Sequence, residues 1–569
     1  MSESVALYER LVDAASLYYV FLEENQRGLE ALPVVKKQSN LDGVDLFLQT
    51  KYLFAEALVL QIGDKFYPID GEILGVKSFD EKEKKLEIFT DSEIKEQILN
   101  HTIVLYSDLK FLVMNVEKFF QKHADNLPSL FDSERLEAIF SLQSEYNFQE
   151  VSRLSQEQNT ALKNLLQSPI SYIWGLPGSG KTKGVLFEAL KFLLSKEKRT
   201  LILAPTNTAL EQILYAILPM LAEQKIPLEF VLRLGTPTQN FFLQYGEVCD
   251  PGMLTKKFEQ NLFTFEFSKT IKQRLQEAKV IALTLDGFIR RYESLGKIDH
   301  IFLDEAASVP LIKSLSLAYY DAPLTLLGDH KQLNPVCEAN SSDMRQLENG
   351  HLLQLFSLSS LYCEDFFKNG EAMLKNPAFE PTFEQINLSV LTRSYRYGEN
   401  LTQILDHFIY HANLHGLQEA TEIFYIDSGT NVIKDREYSS LNEAQSIAVL
   451  TQSLKMQDFG IITPFRQQQK LLYSTCTHLR GLERIFTIHK SQGLEFDTII
   501  FSPVLCHYHL TDSRNLRALS ALNVAVSRAK KRIILVCDVK EWRKMKNQFI
   551  TALLNNAKPF KEESCKEFL

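Results

Sequence analysis

The chain has 569 residues, 45% of them hydrophobic and 23% charged, with a net charge of −9. That length suits three or four folding units of roughly 100–200 residues, with enough apolar content for sizeable cores. No run approaches the ~20 apolar residues of a membrane span, and the acidic balance speaks against coating nucleic acid by bulk charge.

The N-terminus, Met-Ser-Glu-Ser, lacks the basic-then-apolar pattern of a signal peptide. The seven cysteines (Cys249, Cys337, Cys363, Cys476, Cys506, Cys537, Cys565) are scattered without a C-x-x-C pair. Neither a zinc module nor a disulfide framework is indicated, and a reducing cytoplasmic setting is expected, or a nuclear one if the source is eukaryotic.

In chain order, Leu7, Leu11, Ala14, Leu17, Val20 and Phe21 recur at helical spacing and predict a long amphipathic helix over residues 1–30. Short β-like runs follow at Leu58–Ile62, Phe66–Ile69, Ile73–Val76, Lys85–Phe89 and Thr102–Tyr106, and their spacing suggests a small barrel. Phe111 to His123 reads as helix again. Residues 1–125 are therefore expected to form a helix, small β-barrel and stalk-helix accessory region.

Strands and helices then alternate, as a parallel sheet with crossovers requires. The first strand series is Ile170–Trp174, Thr200–Ala204, Val231–Gly235, Val280–Thr284, His300–Leu303 and Pro323–Leu327, interrupted by a polar, aromatic and helical insertion over 236–277. The second is Glu422–Ile426, Gly460–Thr463, Arg484–Ile488, Thr498–Phe501 and Arg532–Val536. The fold class is α/β, with two tandem parallel-sheet domains expected over 126–387 and 388–569.

Gly175-Leu-Pro-Gly-Ser-Gly-Lys-Thr182 lies between the first strand and the apolar helix pattern Val185–Leu194. Strand, glycine loop and helix make this a phosphate site: backbone N–H groups curl around phosphate oxygens, and the helix N-terminus adds positive charge. Gly175, Pro177, Gly178, Ser179, Gly180, Lys181, Thr182 and Lys183 form the candidate loop. Lys181 would reach the β and γ phosphates and Thr182 would ligate Mg²⁺. Asp304-Glu305, at the end of an apolar strand, supplies a carboxylate to hold the metal and a second to activate water. Gln332 lies in a post-strand loop where an amide can sense a γ-phosphate, though a solvated loop residue is its plain reading. Arg396 and Arg528 offer cations for the equatorial oxygens in flight. Either one alone would read as a surface arginine.

The segment Leu154–Gln158 and the strings GLPGSGKT, LILAPTNTAL, VLRLG, FLDEAAS, GDHKQLNP, LTRSYR, GIITPFRQQ, TIHKSQGLEFD and NVAVSRAKKRIIL stand in order over residues 154–538. This series resembles the motifs of superfamily 1 helicases, specifically the up-frameshift/senataxin-like group. The resemblance implies two RecA-like domains of the P-loop NTPase class, ATP with Mg²⁺, and single-stranded DNA or RNA as partner. It implies that Gln158 reads the adenine edge, Tyr395 stacks on the base, Gln332 and Gly493 line the γ-phosphate region, Arg396 and Arg528 act as arginine fingers, and Glu495 contacts ribose. Thr206, Asn207, Thr284, Thr463, Pro464, Thr487 and His489 would meet the strand, mainly at phosphates. A helix cap or turn is the plain reading of each threonine.

The chain departs from the group's largest members in having no cysteine–histidine cluster before the core and only a short stretch after it. The insertion is also short, and Ser527 stands where Thr is commoner. The activity implied is a 5′→3′ helicase or translocase. The alternative is an ATP-gated clamp, or a motor subunit that recruits a nuclease or other protein effector for repair or genome defence.

Overall fold

The computed structural model describes residues 3–41, 43–49, 57–69, 74–80, 83–123, 125–144, 146–250, 271–375, 381–429, 431–435, 437–453, 458–480, 482, 484–506, 510 and 516–561. Residue 73 of the expected strand at 73–76, the middle of the insertion and Cys565 lie outside the described residues. The chain divides into two compact units. The first comprises Met1–Ile173, Thr182–Gly328 and Asn334–Ser389; the second comprises Trp174–Lys181, Asp329–Leu333 and Val390–Leu569. The phosphate loop is thus divided after Lys181.

The first unit opens with helix α1 (Glu3–Glu24), which buries Leu11, Ala14, Ala15, Tyr18, Phe21 and Leu22 on one face. Among the described residues eight strands follow: β1 (Leu29–Leu32), β2 (Val34–Ser39), β3 (Gly43–Leu48), β4 (Leu58–Ile62), β5 (Lys65–Pro68), β6 (Leu74–Asp80), β7 (Lys85–Thr90) and β8 (Ile103–Asp108). They pair as two four-stranded antiparallel sheets, β1-β8-β4-β5 and β2-β3-β7-β6. Val44, Leu46, Leu58, Leu60, Leu86, Ile88 and Leu105 form their shared core. Helix α2 (Ser92–Asn100) starts where Asp91 accepts from the Ile94 N–H at 2.8 Å. Strands β1 to β3 and α2 add to the elements read from the sequence. Helix α3 (Leu109–His123) returns beside α1, where the Tyr8 and Phe120 rings stack at 6.1 Å.

A seven-stranded sheet follows, built from β9 (Ile170–Gly175), β10 (Thr200–Ala204), β11 (Val231–Arg233), β12 (Val280–Thr284), β13 (His300–Leu303), β14 (Leu324–Gly328) and β15 (Asn387–Leu391). Its order is β11-β12-β10-β13-β14-β9-β15, with parallel pairing from β11 through β14. Strands β10, β12, β13 and β14 are buried along their whole length, as parallel strands covered on both faces must be.

The second unit contains a parallel pair, β16 (Arg393–Gly398) with β17 (His415–Gln418), and a hairpin, β19 (Val432–Asp435) with β20 (Glu437–Ser440), after β18 (Glu422–Asp427). Its main sheet adds β21 (Phe459–Thr463), β22 (Ile485–Thr487), β23 (Phe496–Phe501), β24 (Ala529–Cys537) and β25 (Lys558–Pro559). The order is β22-β21-β23-β24-β18-β25, parallel at every pair. Leu176 and Leu333 join its core with Tyr397, Ile499, Ile533 and Trp542. Among the described residues no helix is long and apolar enough to cross a membrane.

Candidate active site

The phosphate loop leaves β9 in a tight turn. Gly178 and Gly180 have φ of +80° and +83°, which a side chain tolerates poorly. Gly178 has a second constraint, because a Cβ there would lie 2.4 Å from the Arg396 Cβ. The segment Ser394–Arg396 packs directly on the loop within the second unit. Tyr395 donates its N–H to the Gly178 carbonyl at 2.8 Å, and Ser394 Oγ lies 3.4 Å from the Pro177 carbonyl. Lys181 Nζ donates to the Gly175 carbonyl at 2.6 Å, and Ser179 N–H to that of Leu176 at 3.2 Å. The residues after the loop wind as a π-helix over Lys181–Leu186 before the α-helix Phe187–Ser195 begins, where the sequence predicts α-helix from Val185. Lys183 is exposed on the π-turn.

In the first unit, Thr182 Oγ1 lies 3.4 Å from Asp304 Oδ2. Asp304 is buried at the end of β13, and its Oδ1 accepts the Glu305 N–H at 2.8 Å. Oδ2 and the Thr182 hydroxyl are hard oxygen donors of the kind Mg²⁺ takes when phosphates and waters complete its shell. Glu305 sits at φ +52°, ψ +35°, left-handed backbone that costs a non-glycine residue ~1–2 kcal/mol.

Gln158 stands in the first turn of the helix Gln156–Gln167, in a reciprocal cap with Ser155: Gln158 Oε1 accepts the Ser155 N–H at 3.0 Å, and Ser155 Oγ accepts the Gln158 N–H at 3.3 Å. A Cβ at Gly184 would lie 3.2 Å from Gln158 Nε2, so the small residue makes room for this amide. Asn159 ties the same corner down, bonding the Val151 N–H at 2.8 Å and carbonyl at 3.1 Å. Asn159 carries no motif signal, and only the fold reveals it.

The remaining nucleotide-site candidates lie in the second unit. Arg528 is 4% exposed; its Nε donates to the Val524 carbonyl at 3.1 Å and its Nη2 to Gln332 Oε1 at 3.1 Å. Arg396 donates to the Ser527 carbonyl at 2.8 Å and pairs with Glu495, so the carboxylate expected at ribose is engaged by an expected finger. Tyr395 is 44% exposed and presents its ring. Gly493 has φ +81° with open space around it.

The candidate strand contacts fall at C-terminal strand ends, where open α/β sheets bind ligands. Ala204, just before Pro205-Thr206, pairs with Thr284 across β10 and β12; Thr463 pairs with Thr487 across β21 and β22. Thr206 caps the helix Asn207–Glu223 by accepting from the Ala209 N–H, and Thr284 caps Leu285–Arg291 through the Gly287 N–H. Thr206 remains exposed, whereas Thr284 is buried and its hydroxyl engaged. Thr463 and Thr487 are buried, Pro464 is half-buried and His489 exposed. Asn207 Oδ1 accepts from the fully buried Arg233 at 2.8 Å, and Glu211 lies 3.3 Å from the same guanidinium. A charge inside the apolar string VLRLG was the available signal for this network, since a buried cation needs partners.

Two family models, each described as an AAA domain, match residues 153–262 and 374–540. The "DNA replication ATP-dependent helicase/nuclease dna2" of Schizosaccharomyces pombe is 25% identical over 67% of this chain and 27% of its own length. The "Regulator of nonsense transcripts 1 homolog" of Neurospora crassa is 22% identical over 68% of this chain and 37% of its own. The "DNA polymerase alpha-associated DNA helicase A" of S. pombe is 24% identical over 71% of this chain and 67% of its own. The chain spans 26% to 32% of the first helicase/nucleases it matches, from S. pombe, Arabidopsis thaliana and Saccharomyces cerevisiae. Motifs in order at the strand ends of two parallel sheets, with relatives of this kind along most of the chain, make it similar to the superfamily 1 helicases of the up-frameshift-like group.

Proposed function

We propose that this chain is an ATP-driven helicase or translocase acting on single-stranded nucleic acid, moving 5′→3′. The observation that carries the reading is the approach of the Thr182 hydroxyl to the buried Asp304 carboxylate, with Glu305 next in the chain on strained backbone. Thr182 and Asp304 would hold Mg²⁺, which when bound supplies charge neutralisation at the phosphates. Lys181 and the loop N–H groups would bind phosphate oxygens, and Lys181 would leave the Gly175 carbonyl to do so. Glu305 would orient the attacking water and take its proton. Gln332, Arg396 and Arg528 would meet the charge that spreads over the γ-phosphoryl oxygens, with Gly493 beside them. Gln158 and the exposed Tyr395 ring would select and stack the base, and Glu495 would reach ribose by exchanging its bond to Arg396.

Domains are proposed as 1–125, 126–387 and 388–569. Exposed Thr206 and His489, with Asn207, Pro464 and the strand-end threonines Thr284, Thr463 and Thr487, would line the path of the strand. Relatives named as helicases favour a motor over a clamp that only recruits an effector.

The test is ATP turnover by purified protein, alone and with single-stranded DNA or RNA of matched sequence, followed by unwinding of duplexes with a 5′ or a 3′ tail. Stimulation by one polymer and unwinding only of the 5′-tailed duplex is the expected result. Stimulated turnover without unwinding of either duplex would turn the reading to the clamp.

A further inference from the structure

The second unit contains a closed ring of buried hydrogen bonds that the motif roles leave unused. Asn523 Nδ2 lies 3.0 Å from the Lys331 carbonyl oxygen and 2.8 Å from the Tyr410 hydroxyl oxygen. A carbonyl only accepts, so this end of Asn523 is its NH₂, and the Tyr410 oxygen accepts from it. The Tyr410 hydrogen is thereby directed to Asp329 Oδ2, 2.5 Å away. The same Oδ2 accepts from Gln332 Nε2 at 3.1 Å, which turns Gln332 Oε1 towards Arg528 Nη2 at 3.1 Å. Asn523 belongs to the helix Leu516–Ser527 and Arg528 follows it directly, so the path closes on one segment. The other Asp329 oxygen holds the Trp174 indole N–H and the Lys331 N–H, each at 3.1 Å. Asp329, Gln332, Tyr410, Asn523 and Arg528 are each no more than 5% exposed.

Every link in this ring has a single direction, because a backbone carbonyl anchors one end and a carboxylate the middle. A glutamine amide alone has no preferred way round. We propose that Asp329, Tyr410 and Asn523 are positioning residues that lock the Gln332 amide with Oε1 towards the Arg528 guanidinium. Both groups are then oriented before nucleotide arrives, and reorganisation at the reacting phosphate is reduced. This rests on the proposed reading of Gln332 and Arg528 as γ-phosphate groups.

A double-mutant cycle in the full chain tests it, with ATP turnover measured at saturating single-stranded DNA or RNA, whichever stimulates more, on wild type, Tyr410→Phe, Gln332→Met and the pair. Tyr410→Phe should lower kcat about tenfold with KM for ATP within twofold of wild type. The double variant should be no slower than Gln332→Met alone, since without an amide there is nothing left to orient. Multiplying effects, or equal losses in kcat and KM, would make the ring merely structural and overturn the proposal. Thermal melting accompanies each variant, and Asn523→Ala enters the same cycle should Tyr410→Phe not fold. A wild type without nucleic-acid-stimulated turnover would instead remove the underlying reading, and this inference with it.

Discussion

At the scale of single residues, Glu305 separates function from stability. Its left-handed backbone is strained at a position where a glycine would sit at ease. Glu305→Gly should therefore abolish turnover while leaving the melting temperature unchanged or raised. A melt depressed by several degrees would show that the carboxylate supports the fold. Glu305→Gln should lower turnover at least ~100-fold with nucleotide affinity retained, as expected for a lost general base. Lys181→Ala should instead weaken nucleotide binding itself, read by titration with a fluorescent ATP analogue. A Glu305→Gln protein turning over at the parental rate would end the assignment of the base.

Elements in the second unit are tied together by polar groups that replace missing ladder bonds. Glu443, on the helix Leu441–Ser453, accepts from Ser502 Oγ and from the Val504 N–H at 3.1 Å, just beyond the end of β23. Gln468 links Ser440 and Ser502 from the next helix, at 2.7 Å and 3.0 Å. Val504 has φ +72°, rare for a β-branched residue, so these bonds hold a strained turn. Burial raises the Glu443 carboxyl to about 8, against the lowering effect of its Ser502 and Val504 partners. An acid raised in the folded state keeps its proton while the unfolded chain loses it near pH 4.3. Stability therefore falls as pH rises from about 4.5 to 8 and levels off above, on the order of 5 kcal/mol in all. Glu443→Gln retains the acceptor and removes the titration. Its melting temperature should fall less than that of wild type between pH 5 and 9, measured by calorimetry, and parallel pH curves would refute the assignment.

On the scale of the whole molecule, the two small antiparallel sheets are an excursion from a helical frame. Leu29 pairs with Asp108, and the Leu109 N–H bonds the Gly28 carbonyl at 2.9 Å, so the chain leaves and returns at one point. The sheets have their own core, while α1 and α3 pack on one another and on the rest of the first unit. Tyr8 donates to the Pro128 carbonyl at 2.7 Å, Tyr18 accepts the Glu338 N–H at 2.9 Å, and His123 meets the Tyr292 hydroxyl at 2.7 Å. Removal of residues 29–108, with a short glycine link joining Gly28 to Leu109, should leave a cooperative thermal unfolding transition. Removal of residues 1–125 should leave aggregated protein, because the buried partners of α1 and α3 become exposed. Solubility and melting of the two deletions decide this, and a soluble, cooperatively melting chain without residues 1–125 would show α1 and α3 to be dispensable.

Local sequence determined those parts whose physics is local. Ile170–Trp174, Thr200–Ala204, Val280–Thr284 and His300–Leu303 read as strands from runs of buried apolar residues, and the glycine loop from its required backbone. The order of the motifs was likewise legible, because phosphate chemistry demands particular groups at strand ends. Strands β1 and β2 and helix α2 were not, since many of their residues are exposed, and β3, buried at Val44, Leu46 and Leu48, owes its form to cross-strand partners. Nor was the orientation of the polar side chains. Asp329 has meaning only beside Tyr410 and Gln332, 81 and 3 residues away in the chain, and Arg233 only beside Asn207 and Glu211. Such groups are satisfied by partners that folding brings together. Periodicity and spacing say nothing of those partners, so only the tertiary structure decided them.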